Sequence, residues 1–363
     1  MNNFRLLYIV VLFIISCSNK EQEIIILKSE QFKELDNFPV QSIEAFNVYS
    51  QSGNAIFYYD IENNQVVELS YNNEKNFDDI KTYPIANSID KEQPVQYSLM
   101  QDKFLLISYP DSLICYDYKT NLSLAKITHL GYENELKNFP YLLNLNCKSS
   151  LVNNMLYLEN YNDHCENYPM DCEPYDALWS FDLETQELKQ IPVKFHDKFY
   201  NIYLKYQNEV NSTWSNDTMF YVSSTHNTIE AICIKNESKY TAPILNLTSK
   251  IISPSTEDDY MTYLMNSVSF GHQFTNLQYN SQTQNLYLVY LPEIPIYNDE
   301  GLLNYTSERD KFLMVFNKNL TLLSQNKLPS ILSSKFIALN DGMVFFESKK
   351  GIIEKALFLS YPE

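Results

Sequence analysis

Glycine is nearly absent. The 363 residues contain six, at Gly53, Gly131, Gly271, Gly301, Gly342 and Gly351. The closest two are nine positions apart, so the chain holds no G-x-G-x-x-G, no P-loop and no G-x-S-x-G elbow. Histidine is as sparse: His129, His164, His196, His226 and His272 never fall within four residues of one another, which removes H-E-x-x-H. No C-x-x-C occurs, so thioredoxin-like redox chemistry has no motif. Basic residues are outnumbered, 27 Lys and Arg against 45 Asp and Glu. A net charge of −18 repels phosphodiester backbones and anionic headgroups, and no nucleic-acid partner is expected. Scarce glycine also means that turns needing left-handed backbone must draw on Asn and Asp.

What is present begins with a leader. Arg5 is followed by ten apolar residues, Leu6 to Ile15, then Ser16 and Cys17. That run is shorter than the roughly 20 residues a spanning helix needs, and its layout is that of a secretory signal. Ile14-Ile15-Ser16-Cys17 resembles the lipobox of bacterial lipoproteins. The resemblance implies a signal peptide over 1–16, a lipidated tether over 17–22 and one domain over 23–363, held to the lipid bilayer through acylated Cys17. Acyl chains contribute about 0.8 kcal/mol per buried CH₂, so several make anchoring effectively permanent. The alternative is an ordinary signal peptide with a chance cysteine. Ser18, where inner-membrane lipoproteins carry Asp, implies the outer membrane. Ser18 to Glu23 resembles the acidic tethers of cell-surface lipoproteins in Bacteroidetes, or is a plain polar spacer.

Hydrophobic residues at 45% exclude disorder, and 29 Tyr with 21 Phe suit pleated surfaces. One pattern recurs: an alternating strand ending in an aromatic plus Asp or Asn, a polar turn, and a second strand. It reads Ile56 to Asp60 into Val66 to Leu69, Leu113 to Asp117 into Leu122 to Leu124, and Leu178 to Asp182 into Leu188. A weaker copy is Ala231 to Lys235, and another is Leu313 to Asn317 into Leu320 to Leu322. Counted from Asp60, the spacings are 57, 65, 53 and 82. Further apolar runs precede the hairpins, giving roughly four strands per unit, the content of a propeller blade. A partial unit over Lys335 to Leu359 makes the prediction an all-β, six-bladed β-propeller, with a seventh blade if the longest gap hides one. The strand Glu23-Ile24-Ile25-Ile26-Leu27 has no local partner and is expected to close the ring by joining the C-terminal blade. Two β-sandwich domains are the competing architecture.

The lipobox, the length, the aromatic-Asp hairpins and the stretch from Pro292 to Asn317 resemble a family of Bacteroidetes outer-membrane and surface lipoproteins. The resemblance implies a TolB-like six-bladed propeller and carries no catalytic residues. Asp111-Ser112-Leu113 and Asp217-Thr218-Met219 resemble the Asp-Ser/Thr-apolar sequon of Bacteroidetes O-glycosylation, or match it by chance.

Two long irregular segments remain, and loops of that length are often functional. In Glu159 to Asp176, six residues separate Cys165 from Cys172, a spacing that favours a local disulfide. The acids around His164 offer oxygen donors for calcium but no closed ligand set, and no metal or other cofactor is assigned. Cys115 and Cys233 occupy one step of the repeat and should be buried and reduced. In Pro292 to Asp310, Tyr297, Asp299, Glu300, Tyr305, Glu308 and Arg309 combine stacking surfaces with hydrogen-bond groups and suit a sugar or peptide. Trp214, placed in a polar loop, is a further stacking candidate, whereas Trp179 reads as core. The functional expectation is a non-catalytic binding or scaffold lipoprotein, its partner a glycan, a peptide or another surface lipoprotein. The alternative is a glycan-active hydrolase or lyase, with carboxylates or a Tyr-His pair at the channel mouth.

Overall fold

A computed structural model describes residues 24–35, 38–47, 49–71, 77, 79–85, 96–100, 102–108, 112–128, 150–159, 176–194, 210–223, 227–245, 270–304 and 309–361. Two short strands come first, β1 (Ile24–Ile26) and β2 (Lys33–Glu34). Blade 1 is β3 (Tyr49–Ser52), β4 (Ala55–Asp60), β5 (Gln65–Ser70) and β6 (Asp79–Pro84). Blade 2 is β7 (Gln96–Met100), β8 (Phe104–Ser108), β9 (Ser112–Asp117) and β10 (Leu122–Thr128). Blade 3 is β11 (Ser150–Val152), β12 (Met155–Glu159), β13 (Asp176–Asp182) and β14 (Leu188–Lys194). Blade 4 is β15 (Val210–Ser215), β16 (Thr218–Ser223), β17 (Thr228–Cys233) and β18 (Ser238–Pro243). Blade 5 is β19 (Gln273–Asn280), β20 (Asn285–Leu291), β21 (Lys311–Asn317) and β22 (Leu322–Leu328). Blade 6 is β23 (Leu332–Leu339), β24 (Gly342–Lys349) and β25 (Ile352–Ser360), with β2 as its fourth strand. The protein is a six-bladed β-propeller.

Alternation builds the ring. Along β20, Leu286, Leu288 and Tyr290 enter the core shared with blade 4, while Tyr287 and Val289 enter the one shared with blade 6. Both faces of a middle strand are therefore buried, and the strand reads as an apolar run. In β24, Val344 and Phe346 pack toward blade 1 and Met343 and Phe345 toward blade 5. Each such side chain contributes about 1.5–3 kcal/mol on burial.

Ring closure differs in detail from the expected one. An N-terminal strand does join the C-terminal blade, but it is β2, with Lys33 opposite Phe358. Ile24–Ile26 instead adds in parallel to β22 of blade 5, Ile24 opposite Gln325. A two-residue antiparallel strand suffices for closure because Leu35 N–H continues the pairing to the Ala356 carbonyl.

The recurring Asp or Asn proves to be a turn cap. Asp117 Oδ1 accepts the Lys119 and Thr120 N–H groups at 3.0 Å each, and Asn317 Oδ1 accepts those of Asn319 and Thr321 at 2.9 and 3.0 Å. The left-handed positions fall to Asn64, Asn121, Asn153, Asn154 and Asn216 among others; among the described residues none falls to Asp. Two readings of the repeat are corrected. The Asp60 turn joins the second and third strands of blade 1, whereas those at Asp117, Asp182 and Asn317 join third and fourth strands. The first interval of 57 residues therefore spans more than one blade period. Cys233 pairs with Ser238 as Asp117 pairs with Leu122, so it occupies the Asp117 place rather than that of Cys115. It is accordingly half-buried at a strand end, while Cys115 is buried; both are free.

Candidate functional site

The innermost strands of the six blades all run toward one end of the ring, where they turn into the second strands. These turns enclose a cavity of about 590 Å³ at the mouth of the central channel. Every blade contributes: Ser50 to Gly53, Leu99 and Met100, Ser150 to Asn153, Thr213 to Asn216, Tyr279 to Ser281 with Gln284, and Ala338 to Asn340. The size is that of a small-ligand pocket.

The polar residues there have two jobs. An innermost strand bonds its own second strand on one edge and needs other partners for the opposite edge. Side chains supply them. Gln278, fully buried, accepts the Ala338 N–H at 2.8 Å and donates to the Phe336 carbonyl, and Asn276 Nδ2 donates to the same carbonyl at 3.0 Å. Tyr279 N–H donates to Thr213 Oγ1 at 3.1 Å, and Asn276 N–H donates to Asn211 Oδ1 at 2.9 Å. Nearer the mouth, Asn153, Ser215, Asn216, Ser281, Gln284 and Asn340 crown the turns. Gln51 Oε1, on the wall, is buried and has no hydrogen-bond partner.

Among the described residues that line the cavity, none carries a charge, and Tyr279 is the one titratable side chain. In a chain with 20% charged residues that neutrality is selective. The aromatic component is Trp214, stacked on Tyr157 with ring centroids 5.8 Å apart and planes at 28°, together with Tyr279, stacked on Phe220 at 5.9 Å and 17°. Trp214 lies within strand β15 rather than in a loop.

The other predicted residues are elsewhere. The segment from Pro292 to Asp310 joins the second and third strands of blade 5, and so sits at the opposite end of the ring from the cavity. There it folds back on itself, Tyr297 bridging Leu303 while Asn298 Oδ1 accepts the Glu300 and Leu302 N–H groups at 3.0 and 2.9 Å. Tyr297, Asp299 and Glu300 are exposed. Arg309 is buried, 2% exposed, and one of its Nη atoms donates to the Gly271 carbonyl at 3.0 Å, pinning the loop to the base of β19. Burial pushes its pKa down. Tyr305 and Glu308 lie outside the described residues, as do Cys17, Cys147, Cys165 and Cys172. Ser112 opens β9, and Thr218 is half-buried at the start of β16. Trp179 is half-buried against the core between blades 2 and 3.

A Tyr-His pair does exist, at the end away from the cavity: Tyr290 Oη lies 2.8 Å from His272 Nδ1. Burial raises Tyr290 to about 12, and burial lowers His272, helped by Arg309 against Glu293. Both shifts favour the uncharged side chain and carry the pKa values away from neutral pH, the reverse of what acid–base catalysis requires. The Glu293 N–H also points at Nδ1, at 3.3 Å, so the ring anchors the start of the loop. Of the cavity residues, sequence reasoning singled out Trp214 and missed the others, which come from segments of six blades dispersed along the chain.

No family model matches the sequence, and no curated protein does. Solved structures do. A member of the DUF4221 family from Bacteroides vulgatus superposes with a TM-score of 0.59 at 10% identity, covering 95% of this chain and 99% of the other. An exported protein from Bacteroides fragilis gives 0.52 at 10% identity, covering 92% and 94%. At that identity the likeness is one of fold.

Proposed function

We propose that this is a surface lipoprotein with a TolB-like propeller, anchored through Cys17, which binds an uncharged glycan at its channel mouth and performs no chemistry on it. The observation that carries the reading is that no described residue lining the cavity is charged, its frame being amides, hydroxyls, the rings of Trp214 and Tyr279, and a few apolar side chains. A sugar offers hydroxyls that pair with amides in both directions and C–H faces that stack on an aromatic ring. A peptide or a partner lipoprotein would have to seat there without an ionic anchor. Hydrolysis of a glycosidic bond requires two carboxyls about 5–9.5 Å apart, and the described lining has none.

The test is titration of the soluble chain lacking residues 1–17 with an array of neutral and acidic oligosaccharides. Neutral saccharides should bind, and Trp214→Ala should weaken them about tenfold, equivalent to about 1.4 kcal/mol. Trp214→Phe, which keeps a ring against Tyr157, should retain most of the affinity. Binding confined to acidic saccharides, or unaffected by Trp214→Ala, refutes the assignment.

A further inference from the structure

The direction of β1 orients the cavity. Strand β22 runs away from the cavity end of blade 5, because β19 ends at the cavity, β20 leaves it, β21 returns and β22 leaves again. Strand β1 is parallel to β22, with Ile24 opposite Gln325 and Ile26 opposite Lys327. The chain therefore enters β1 from the cavity side of the ring. Cys17 stands seven residues before Ile24, a reach of at most about 25 Å even when fully extended. Gln325 is three residues past Leu322, where β22 begins at the cavity end, so about 10 Å of that reach separates Ile24 from the level of the mouth. An acyl chain on Cys17 then holds the bilayer within about 15 Å of the face that carries the cavity, at the rim of blade 5.

We infer that the channel mouth is turned toward the membrane to which the protein is anchored, and that its ligand is an uncharged saccharide displayed on that membrane. The inference rests on the glycan-binding reading of the cavity and on acylation at Cys17. A short tether at the outer rim brings this face, and not the Pro292 to Asp310 face, against the headgroups. The net charge of −18 gives the propeller no electrostatic reason to lie on an anionic surface, so the tether sets the approach. A neutral cavity meets a neutral sugar headgroup without a desolvated charge on either side.

The experiment uses the acylated full chain in phosphatidylcholine vesicles. A dye is placed through a bio-orthogonal residue at Gln282, on the exposed turn beside the cavity, or at Leu302, on the exposed loop at the other end. The two sites differ in height by about one strand length, roughly 20–25 Å. Energy transfer to a headgroup-labelled lipid should be several-fold stronger from Gln282 than from Leu302. Equal or reversed transfer overturns the orientation, and failure to co-sediment with vesicles overturns it through the anchor. In a second arm the vesicles carry a glycolipid with an uncharged disaccharide headgroup, or phosphatidylglycerol. Tryptophan emission should change with the glycolipid alone, and the change should vanish in Trp214→Phe, where Trp179 is the remaining emitter, but persist in Trp179→Phe. No response to the glycolipid, with transfer still favouring Gln282, overturns the ligand assignment alone. A soluble chain that binds no free saccharide marks failure of the underlying binding reading instead.

Discussion

Gln278 lies at the joint between blades 5 and 6, and its replacement isolates the energetics of the polar rungs. Its side chain is fully buried, accepts the Ala338 N–H at 2.8 Å, and donates to Phe336 O and, at 2.9 Å, to Asn276 Oδ1. Leucine has a similar volume, so Gln278→Leu creates no large cavity and removes the polar contacts. The Ala338 N–H is orphaned inside the protein, at a cost of about 1–3 kcal/mol. The Phe336 carbonyl keeps Asn276 at 3.0 Å and loses one bond, about 0.5–1.5 kcal/mol more. The expected loss is about 2–4 kcal/mol, read from urea unfolding by tryptophan emission with an unchanged denaturant slope. Gln278→Glu is the sharper variant. It retains the acceptor for Ala338 but sets an oxygen against the Phe336 carbonyl, and when ionised it is a buried charge with no cation. Burial raises the folded-state pKa of such a carboxyl above its unfolded value, so its protonated, glutamine-like form is the stable one. Stability relative to the parent should recover as pH falls toward the unfolded value and be lost as pH rises through the folded one. A Gln278→Leu variant within about 0.5 kcal/mol of the parent, or a pH-independent deficit for Gln278→Glu, refutes the role given to the rungs.

Gly342 opens β24, and a Cβ there would stand 2.4 Å from both the Leu359 carbonyl and the Phe358 ring, so Gly342→Ala should cost about 1–3 kcal/mol in the same unfolding assay. The Cys115 thiol is raised to about 12, first by burial and then by Asp117, whereas Cys233 is half-buried; native-state thiol labelling at pH 8 followed by peptide mapping should find Cys233 modified well before Cys115. Burial pushes Asp117 upward, but hydrogen bonds from Thr120 and the charge of Lys103 at 3.3 Å outweigh it and hold the carboxyl below its ordinary 3.8. Its stabilisation is therefore complete above that value and fades as pH falls below it, so the gap between the parent and Asp117→Asn should narrow in acid denaturation curves. A lipid anchor predicts that Cys17→Ser leaves the membrane fraction or stays unprocessed, as read by detergent-phase partitioning.

The sequence alone determined what is local. Period-two alternation, Asn-rich turns and missing motifs are set by neighbouring residues, and they were enough to give an all-β chain of six hairpin units without a dinucleotide or hydrolase signature. Phase was not legible. A capped hairpin looks the same whether it joins second and third strands, as at Asp60, or third and fourth, as at Asp117, because the Asp side chain sees only its own turn. Which N-terminal segment closes the ring depended on the free edges of β22 and β25, which exist only once the blades are folded. The same holds for the site. Chemistry-rich side chains drew attention to Pro292 to Asp310, yet strand direction sends that loop to the far end and burial removes Arg309 from its surface. The cavity is built from serines and amides that are unremarkable singly, brought together because six turns dispersed along the chain converge on one axis. Charge and composition are properties of residues, whereas a concave site is a property of the closed ring.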